Sequence, residues 1–344
     1  MRQGAVISPL FFSFYMDSLF SQLSRSGSGC QIADFYAGCF GYADDLFLLS
    51  PSRKGLQEML DISEAYVKEH NISFSTNPDS AKSKTKGIIF SKKPLKLEPE
   101  PVKLNGNPLP WVKQARYLGN TVECVPNGLS ADIKAKRARF IERNVEIDHE
   151  FPEAHPSLKC KLNSIYNSSF PGSVLYDLFS DSTRMLVNSW SISIRQMWNL
   201  PFSAHKYLLE PLGGTHAYTM LLVRFVKFLQ TAQKSSKLAV QLMLQRVMNN
   251  YDTVTGRNFL KIQSLVDSEE NLLNMPISKI KSKLKFCPIS DNDQWKISLI
   301  KEITDLKQNS LVFSAPSDTG ARESHFPFLD LNELTMICNY VSTI

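Results

Sequence analysis

Two adjacent carboxylates, Asp44 and Asp45, interrupt a run of residues that favour β-strands, at positions 40–49. Successive side chains of a strand point to opposite faces, so an aspartate pair inside an apolar strand would bury a charge. At the turn of a hairpin, both carboxylates reach solvent. The pattern therefore predicts a β-hairpin whose tip carries both aspartates, followed by a buried strand at residues 46–49.

An exposed aspartate pair has two interpretations. It can hold a hard divalent cation, because Mg²⁺ takes oxygen ligands and keeps several waters, so that one or two carboxylates plus substrate phosphates suffice. Two such ions are suited to phosphoryl transfer. The other interpretation is an ordinary acidic hairpin tip that binds nothing, and the pair alone does not separate the two.

Apolar periodicity divides the 344 residues into a mixed N-terminal third and a helical remainder. The 43% hydrophobic composition is enough for more than one core. In the first third, residues 56–67 predict an amphipathic helix that begins at Pro51-Ser52, and residues 87–90 predict a buried strand. The N-terminal third is therefore predicted to be α+β.

The remainder shows helical periodicity. Residues 186–198 and 221–229 predict two bundle helices, the first capped by Asp181-Ser182 and stopped by Pro201. The overall fold class is therefore α+β, and the predicted domains are residues 1–120, 121–250 and 251–344, the last a helical C-terminal extension.

Positive charge is concentrated in two places. Residues 80–116 carry nine lysines or arginines against two glutamates, and a helix after residue 130 would place three more on roughly a 60° arc, at 100° per residue: Lys136, Arg139 and Arg143. Both clusters are compatible with contact to the phosphates of a nucleic acid or with a solvated surface.

Several classes of protein are excluded. No apolar stretch approaches the ~20 residues that cross a bilayer, and the first residues do not form a signal peptide. The six cysteines include no Cys-x-x-Cys pair, so a zinc site is not expected. We therefore expect an intracellular protein of the cytoplasm or nucleus, not a secreted or membrane protein.

Five segments in order resemble the palm of a reverse transcriptase, specifically that of a non-long-terminal-repeat (LINE-type) retrotransposon, over about the first 120 residues. They are Arg2-Gln3-Gly4, Ser8-Pro9-Leu10-Phe11, Tyr42-Ala43-Asp44-Asp45, Lys82-Ser83-Lys84-Thr85-Lys86 and Tyr117-Leu118-Gly119. The helical remainder is similar to the thumb and downstream region of the same polyproteins, at Asn188-Ser189-Trp190, Leu200-Pro201 and Glu210-Pro211-Leu212.

The resemblance implies an RNA-directed DNA polymerase that acts on an RNA template and a DNA primer with two Mg²⁺ ions, and it implies residue roles. Asp44 and Asp45 would be the catalytic metal ligands, and Lys84 would donate a proton to departing pyrophosphate. Gln3 and Gly4 would lie near the templating base and the incoming nucleotide, and Tyr42 would lie at the primer end. Tyr117, Leu118 and Gly119 would form the primer grip, and the backbone contacts would come from Lys136, Arg139 and Arg143.

The resemblance also implies an incomplete catalytic site. The family has a further metal-binding aspartate in a motif upstream of Arg-Gln-Gly, whereas this sequence begins at Met1. Neither Asp17 nor Asp34 lies in the required context. We therefore expect a chain truncated at its N-terminus that is inactive alone. The alternatives are a noncatalytic retroelement remnant that binds nucleic acid and a retroelement-derived protein without a cellular role.

Overall fold

The computed structural model of this chain describes most of its residues, and the fold is given for those alone: 8–77, 82–91, 99–124, 129–204, 206–249, 251–285 and 294–313. The chain divides into two units, residues 1–300 and 301–344. The second unit is described only over residues 301–313, which are helical.

Two helices form the first hydrophobic core. Helix α1 (Ser8–Arg25) packs against helix α2 (Arg53–Glu69), and the buried side chains come from both. The Ser52 side chain caps α2 by accepting a hydrogen bond from the Gly55 backbone N–H, as expected for a helix that begins at Pro51-Ser52. The cluster consists of Met16, Leu19, Leu23, Met59, Tyr66 and Val67.

The described strands form four antiparallel hairpins. Each pair is joined by two residues, and the first of the two has a positive φ in every hairpin, at Ala33, Ala43, Asn105 and Leu118. Such turns match the right-handed twist of the flanking strands. The hairpins are β1 (Gln31–Ile32) with β2 (Phe35–Tyr36), β3 (Cys39–Tyr42) with β4 (Asp45–Leu48), β5 (Lys103–Leu104) with β6 (Asn107–Pro108), and β7 (Gln114–Tyr117) with β8 (Asn120–Glu123).

The strand predicted at residues 87–90 is wrong. Gly87 makes one isolated parallel bridge to Trp111 and no ladder. Gly87 is in a tertiary contact instead: the indole ring of Trp111 lies against its backbone, where a Cβ would overlap the ring. An apolar run here covers a tryptophan and does not extend a sheet.

Every element described after Glu123 is helical. Helix α5 confirms the prediction for residues 186–198, but its cap is Ser180, whose side chain accepts from the Thr183 N–H, and not Asp181-Ser182. The α-helices are α3 (Ser130–Glu150), α4 (Pro156–Leu162), α5 (Asp181–Met197), α6 (Leu209–Gly213), α7 (Ala217–Gln233), α8 (Leu238–Met248), α9 (Val254–Val266), α10 (Ile277–Lys283) and α11 (Gln294–Phe313). A π-helix spans Asn163–Asn167, and short 3₁₀ turns span Ser173–Leu175 and Lys206–Leu208.

Helices α3 and α5 pack through polar as well as apolar side chains. Arg137 Nε donates to Ser189 Oγ over 2.7 Å, and Asn144 Nδ2 donates to Ser193 Oγ over 2.9 Å. Both serines lie one helical turn apart, so they form a polar row along α5. The fold class is α+β, as predicted, and none of the described helices is long and apolar enough to span a membrane.

Candidate active site

The aspartate pair lies at the tip of the β3–β4 hairpin. The register pairs Tyr42 with Asp45, which leaves Ala43 and Asp44 as the two connecting residues. Ala43 has a φ of 49°, an uncommon conformation for a residue with a β-carbon. The hairpin tip predicted from the adjacent carboxylates is therefore confirmed.

The two faces of this hairpin have different environments. Leu46 and Leu48 pack against the core of α1 and α2. Because side chains alternate along a strand, Asp45 and Phe47 belong to the opposite face, together with Tyr42, the cross-strand partner of Asp45. One face therefore anchors the hairpin, and the other presents a carboxylate and two aromatic rings.

Both carboxylates are available to a ligand. Asp44 and Asp45 are exposed, and neither makes a hydrogen bond or an ion pair within the described part of the chain. Two adjacent carboxylates fit the donor set that Mg²⁺ uses together with substrate phosphates. No group of three or more His, Cys, Asp or Glu side chains with metal-binding geometry occurs among the described residues. The donors present thus suit part of a two-metal site.

A second hairpin tip lies beside the first. The rings of Phe47 and Tyr117 contact each other, with centroids 5.1 Å apart. Burial raises the pKa of Tyr117, and the negative charge of Asp45 raises it further. Tyr117 pairs with Asn120 across the turn formed by Leu118 and Gly119. The structure therefore brings the aspartate tip and the tip at residues 117–119 together.

The remaining predicted residues are less closely connected to this site. Lys84 is exposed, on a segment held by hydrogen bonds from the Thr85 backbone and hydroxyl to the Ser75 carbonyl. No hydrogen bond or ion pair joins Lys84 to either aspartate among the described residues. Gln3 and Gly4 lie outside the described residues.

The basic stripe on α3 requires a correction. Arg139 and Arg143 are exposed, and Arg143 donates one hydrogen bond to the Tyr166 carbonyl over 3.0 Å. Lys136, by contrast, is buried against Asp132, one helical turn earlier. A buried, paired ammonium cannot reach a phosphate, so Lys136 is not part of the exposed basic surface. Lys134 is exposed on the same helix.

Sequence reasoning missed Phe47, Asn120 and Asp132. The alternation of β4 places Phe47 on the same face as Asp45, which was a usable signal. Asp132 precedes Lys136 by four residues, the spacing of a helical ion pair. Asn120 carried no signal, because its role depends on contacts made by other elements.

Residues 1–122 match the family model described as reverse transcriptase (RNA-dependent DNA polymerase). The match covers the N-terminal third of the chain. The chain is also 32% identical over 100 residues to the retrovirus-related Pol polyprotein from the type-1 retrotransposable element R2 of Nasonia vitripennis. The aligned part covers 29% of this chain and 9% of that polyprotein. The match is consistent with a non-long-terminal-repeat, LINE-type reverse transcriptase.

The proximity of Asp45 and Tyr117 predicts an electrostatic coupling. Asp45→Asn is expected to lower the pKa of Tyr117 but to leave it above the ordinary 10.0, because burial is the larger cause. Since the raised pKa favours the neutral phenol in the folded state, its contribution to stability is complete below about pH 10 and is lost as the pH rises through the folded value.

The measurement is a pH titration of the Tyr117 ring carbons by NMR. Asp44→Asn is the matched control, because Asp45 is the neighbouring charge that raises the Tyr117 pKa. Equal changes in both variants would contradict the arrangement of the two tips.

Proposed function

We propose that this chain supplies the metal-binding hairpin and the primer-contacting hairpin of an RNA-directed DNA polymerase, with the strand-bearing N-terminal region as part of its palm and the following helices as its thumb. The contact between Phe47 and Tyr117 carries the proposal. It holds two hairpin tips side by side, one with paired carboxylates and one with an exposed turn. The matches to the reverse transcriptase family and to the R2 polyprotein support it.

The reaction assigned to this site is attack of a primer 3′-hydroxyl on the α-phosphorus of a nucleotide. The hydroxyl proton passes to solvent water, a bond forms between the 3′-oxygen and the α-phosphorus of the nucleoside triphosphate, and the bond from that phosphorus to pyrophosphate breaks. Asp44 and Asp45 would hold Mg²⁺, which supplies charge stabilisation at the phosphoryl oxygens when bound. Tyr42, exposed at the tip, would contact the primer end. Lys84 would give its proton to pyrophosphate.

The 344-residue chain alone is expected not to extend a primer. Two carboxylates leave a two-metal site short of protein ligands, and no third acidic group joins them in the described structure. Primer extension on an RNA template with Mg²⁺ or Mn²⁺ tests this expectation. Template-dependent incorporation that is lost in Asp44→Ala would show that the chain is a complete enzyme.

A noncatalytic nucleic-acid binder is the second candidate function. The observation that favours it is the exposed basic surface of α3 formed by Arg139 and Arg143, which lie about 40° apart around the helix at 100° per residue. Phosphate contacts of this kind give weak, sequence-tolerant affinity that falls with salt. Such binding needs no metal site.

Reversal of Arg139 and Arg143 to glutamate is expected to weaken binding of an RNA–DNA duplex and to reduce the salt slope of log Kd by about one for each lost phosphate contact. The measurement is fluorescence anisotropy at several salt concentrations. The same reversal at Lys234 and Lys237, exposed between α7 and α8, is the control.

Lys279 and Lys283 would be poor controls. Lys279 pairs with Glu270 over 2.6 Å, and Lys283 donates to the last carbonyls of α9. Their reversal would remove these contacts as well as the two positive charges. Binding that is equally sensitive to both exposed pairs, at 139 and 143 or at 234 and 237, would remove α3 as the interface.

A further inference from the structure

A buried lysine on α3 is fully engaged by three acceptors. Lys136 Nζ donates to Asp132 Oδ2 and to Asn120 Oδ1, both over 2.7 Å, and to the Pro171 carbonyl. An ammonium has three protons to donate, so its hydrogen-bonding capacity is satisfied. The Asp132 and Lys136 side chains are 3% and 9% exposed. The Asp132–Lys136 pair is therefore buried and held in place by its hydrogen bonds.

The buried Asp132–Lys136 pair also holds strand β8 next to the β7–β8 turn. Asp132 accepts hydrogen bonds from the Thr121 backbone N–H and from the Tyr176 hydroxyl, each over 2.8 Å. Glu123, at the end of β8, accepts from the Ala131 N–H in the first turn of α3 over 2.9 Å. Strand β8 is therefore tied to the start of α3 at several points.

Asn120 connects the buried pair to the tip of the hairpin. Its Oδ1 accepts from Lys136, while its Nδ2 donates to the Leu118 carbonyl over 3.3 Å. Leu118 has a φ of 46° and is 45% exposed. The left-handed conformation is unfavourable for a residue with a bulky side chain, so the hydrogen bond from Asn120 stabilises a turn that Leu118 disfavours.

The β5–β6 hairpin shows the same turn without that requirement. Asn107 Nδ2 donates to the Asn105 carbonyl over 3.3 Å, and Asn105 has a φ of 53°. Asparagine adopts this conformation readily, because its side chain makes local hydrogen bonds. The two hairpins can therefore be compared directly: Asn105 adopts the left-handed conformation readily, whereas Leu118 adopts it at a cost.

Gly172 makes room for Asn120. A β-carbon at Gly172 would overlap the Asn120 side-chain oxygen, and the φ of Gly172 is 77°. The side chain of Asn120 is therefore enclosed between Lys136 and the Gly172 backbone. Its orientation, and with it the direction of Nδ2, follows from these neighbours.

We propose that Asn120 is a positioning residue, which transmits the location of the buried Asp132–Lys136 pair to Leu118 and so fixes the tip that meets the primer terminus. The inference rests on the proposed function, because it assigns the tip at residues 117–119 to the primer. It adds a residue outside the motifs that define the site. The helical region thereby sets the distance between the primer terminus and the aspartates.

The test is Asn120→Asp, which keeps an oxygen for Lys136 and removes the amide that donates to Leu118. Two quantities are measured: the ratio of affinities for a primer–template with a recessed 3′ end and for a blunt duplex, and the Leu118 HN–Hα coupling constant, which reports φ. We expect the affinity ratio to fall roughly three- to tenfold, as for loss of one hydrogen bond. Asn107→Asp, the same change in the other hairpin, is expected to leave both unchanged.

A second background separates positioning from stability. Leu118→Asn copies the β5–β6 turn, so its φ no longer needs support. In this background, Asn120→Asp is expected to have no further effect on the coupling constant at residue 118. An equal effect in both backgrounds would mean that Asn120 only stabilises the hairpin and would overturn the inference.

Different results would contradict the primer role of the tip and the role of Asn120. A wild-type chain that binds both duplexes equally contradicts the primer role, whereas the coupling constant still tests the link from Asn120 to Leu118. A wild-type preference for the recessed end that persists in Asn120→Asp, with an unchanged Leu118 φ, overturns the inference and leaves the proposed function intact.

Discussion

Replacement of Lys136 with methionine is expected to lower the free energy of unfolding by about 3–5 kcal/mol, the cost of removing one partner of a buried ion pair. Methionine preserves most of the volume of the side chain, so the loss comes from the uncompensated Asp132 carboxylate and from acceptors left without a donor. Urea denaturation measures the change, provided that the dependence on denaturant is unaltered.

The control lies two residues earlier on the same helix. Lys134→Met removes an exposed lysine and is expected to change stability by less than about 0.5 kcal/mol. The double variant Asp132→Asn with Lys136→Met removes both charges, and we expect it to recover much of the loss. Similar costs for Lys134→Met and Lys136→Met would contradict the buried pair.

The second large effect concerns catalysis. In a form of the chain that extends a primer, Asp44→Asn is expected to reduce incorporation by roughly 10³-fold or more, because a neutral amide replaces a ligand of the ions that stabilise the transition state. Single-nucleotide incorporation under saturating substrate measures the loss. We expect duplex affinity to change little, since the basic surface on α3 is untouched.

Asp34→Asn is a closely matched control for that experiment. Asp34 follows Ala33 in the β1–β2 turn, as Asp44 follows Ala43 in the β3–β4 turn, and the two alanines have φ values of 51° and 49°. The two turns differ in the residue that comes next, which is Phe35 in one and Asp45 in the other. A comparable loss in Asp34→Asn would assign the effect to turn geometry and not to a metal ligand.

Local patterns predicted the parts of the fold that local forces determine. The adjacent carboxylates located the β3–β4 turn, and a serine before an amphipathic run located the start of α2. The error at residues 87–90 has a tertiary cause, because Gly87 packs under the indole ring of Trp111 and makes only one isolated bridge to it. The β-propensity of a segment does not predict whether it will pair with a strand or pack against a side chain.

The candidate site also has features that the local sequence predicts and features that depend on tertiary contacts. Sequence spacing gave the correct helical arc for Lys136, Arg139 and Arg143, but it did not tell which of them faces a buried carboxylate. The turn at Asn105-Gly106 follows from residue type, whereas Leu118 is a residue that this turn normally avoids. In the proposed arrangement, its conformation depends on Asn120 and, through Asn120, on Lys136, which lies 16 positions further along the chain.

The four two-residue turns have a kinetic consequence. Each hairpin closes over fewer than a dozen residues, so its strands can pair within about 1–10 μs. The hydrogen bond from Tyr176 to Asp132 spans 44 positions, and that from Asn258 to the Tyr176 carbonyl spans 82. Closing such loops is slower and costs more entropy. We expect the hairpins to form early and the Leu118 turn to fluctuate until Tyr176 docks, so that this tip matures in the last folding phase.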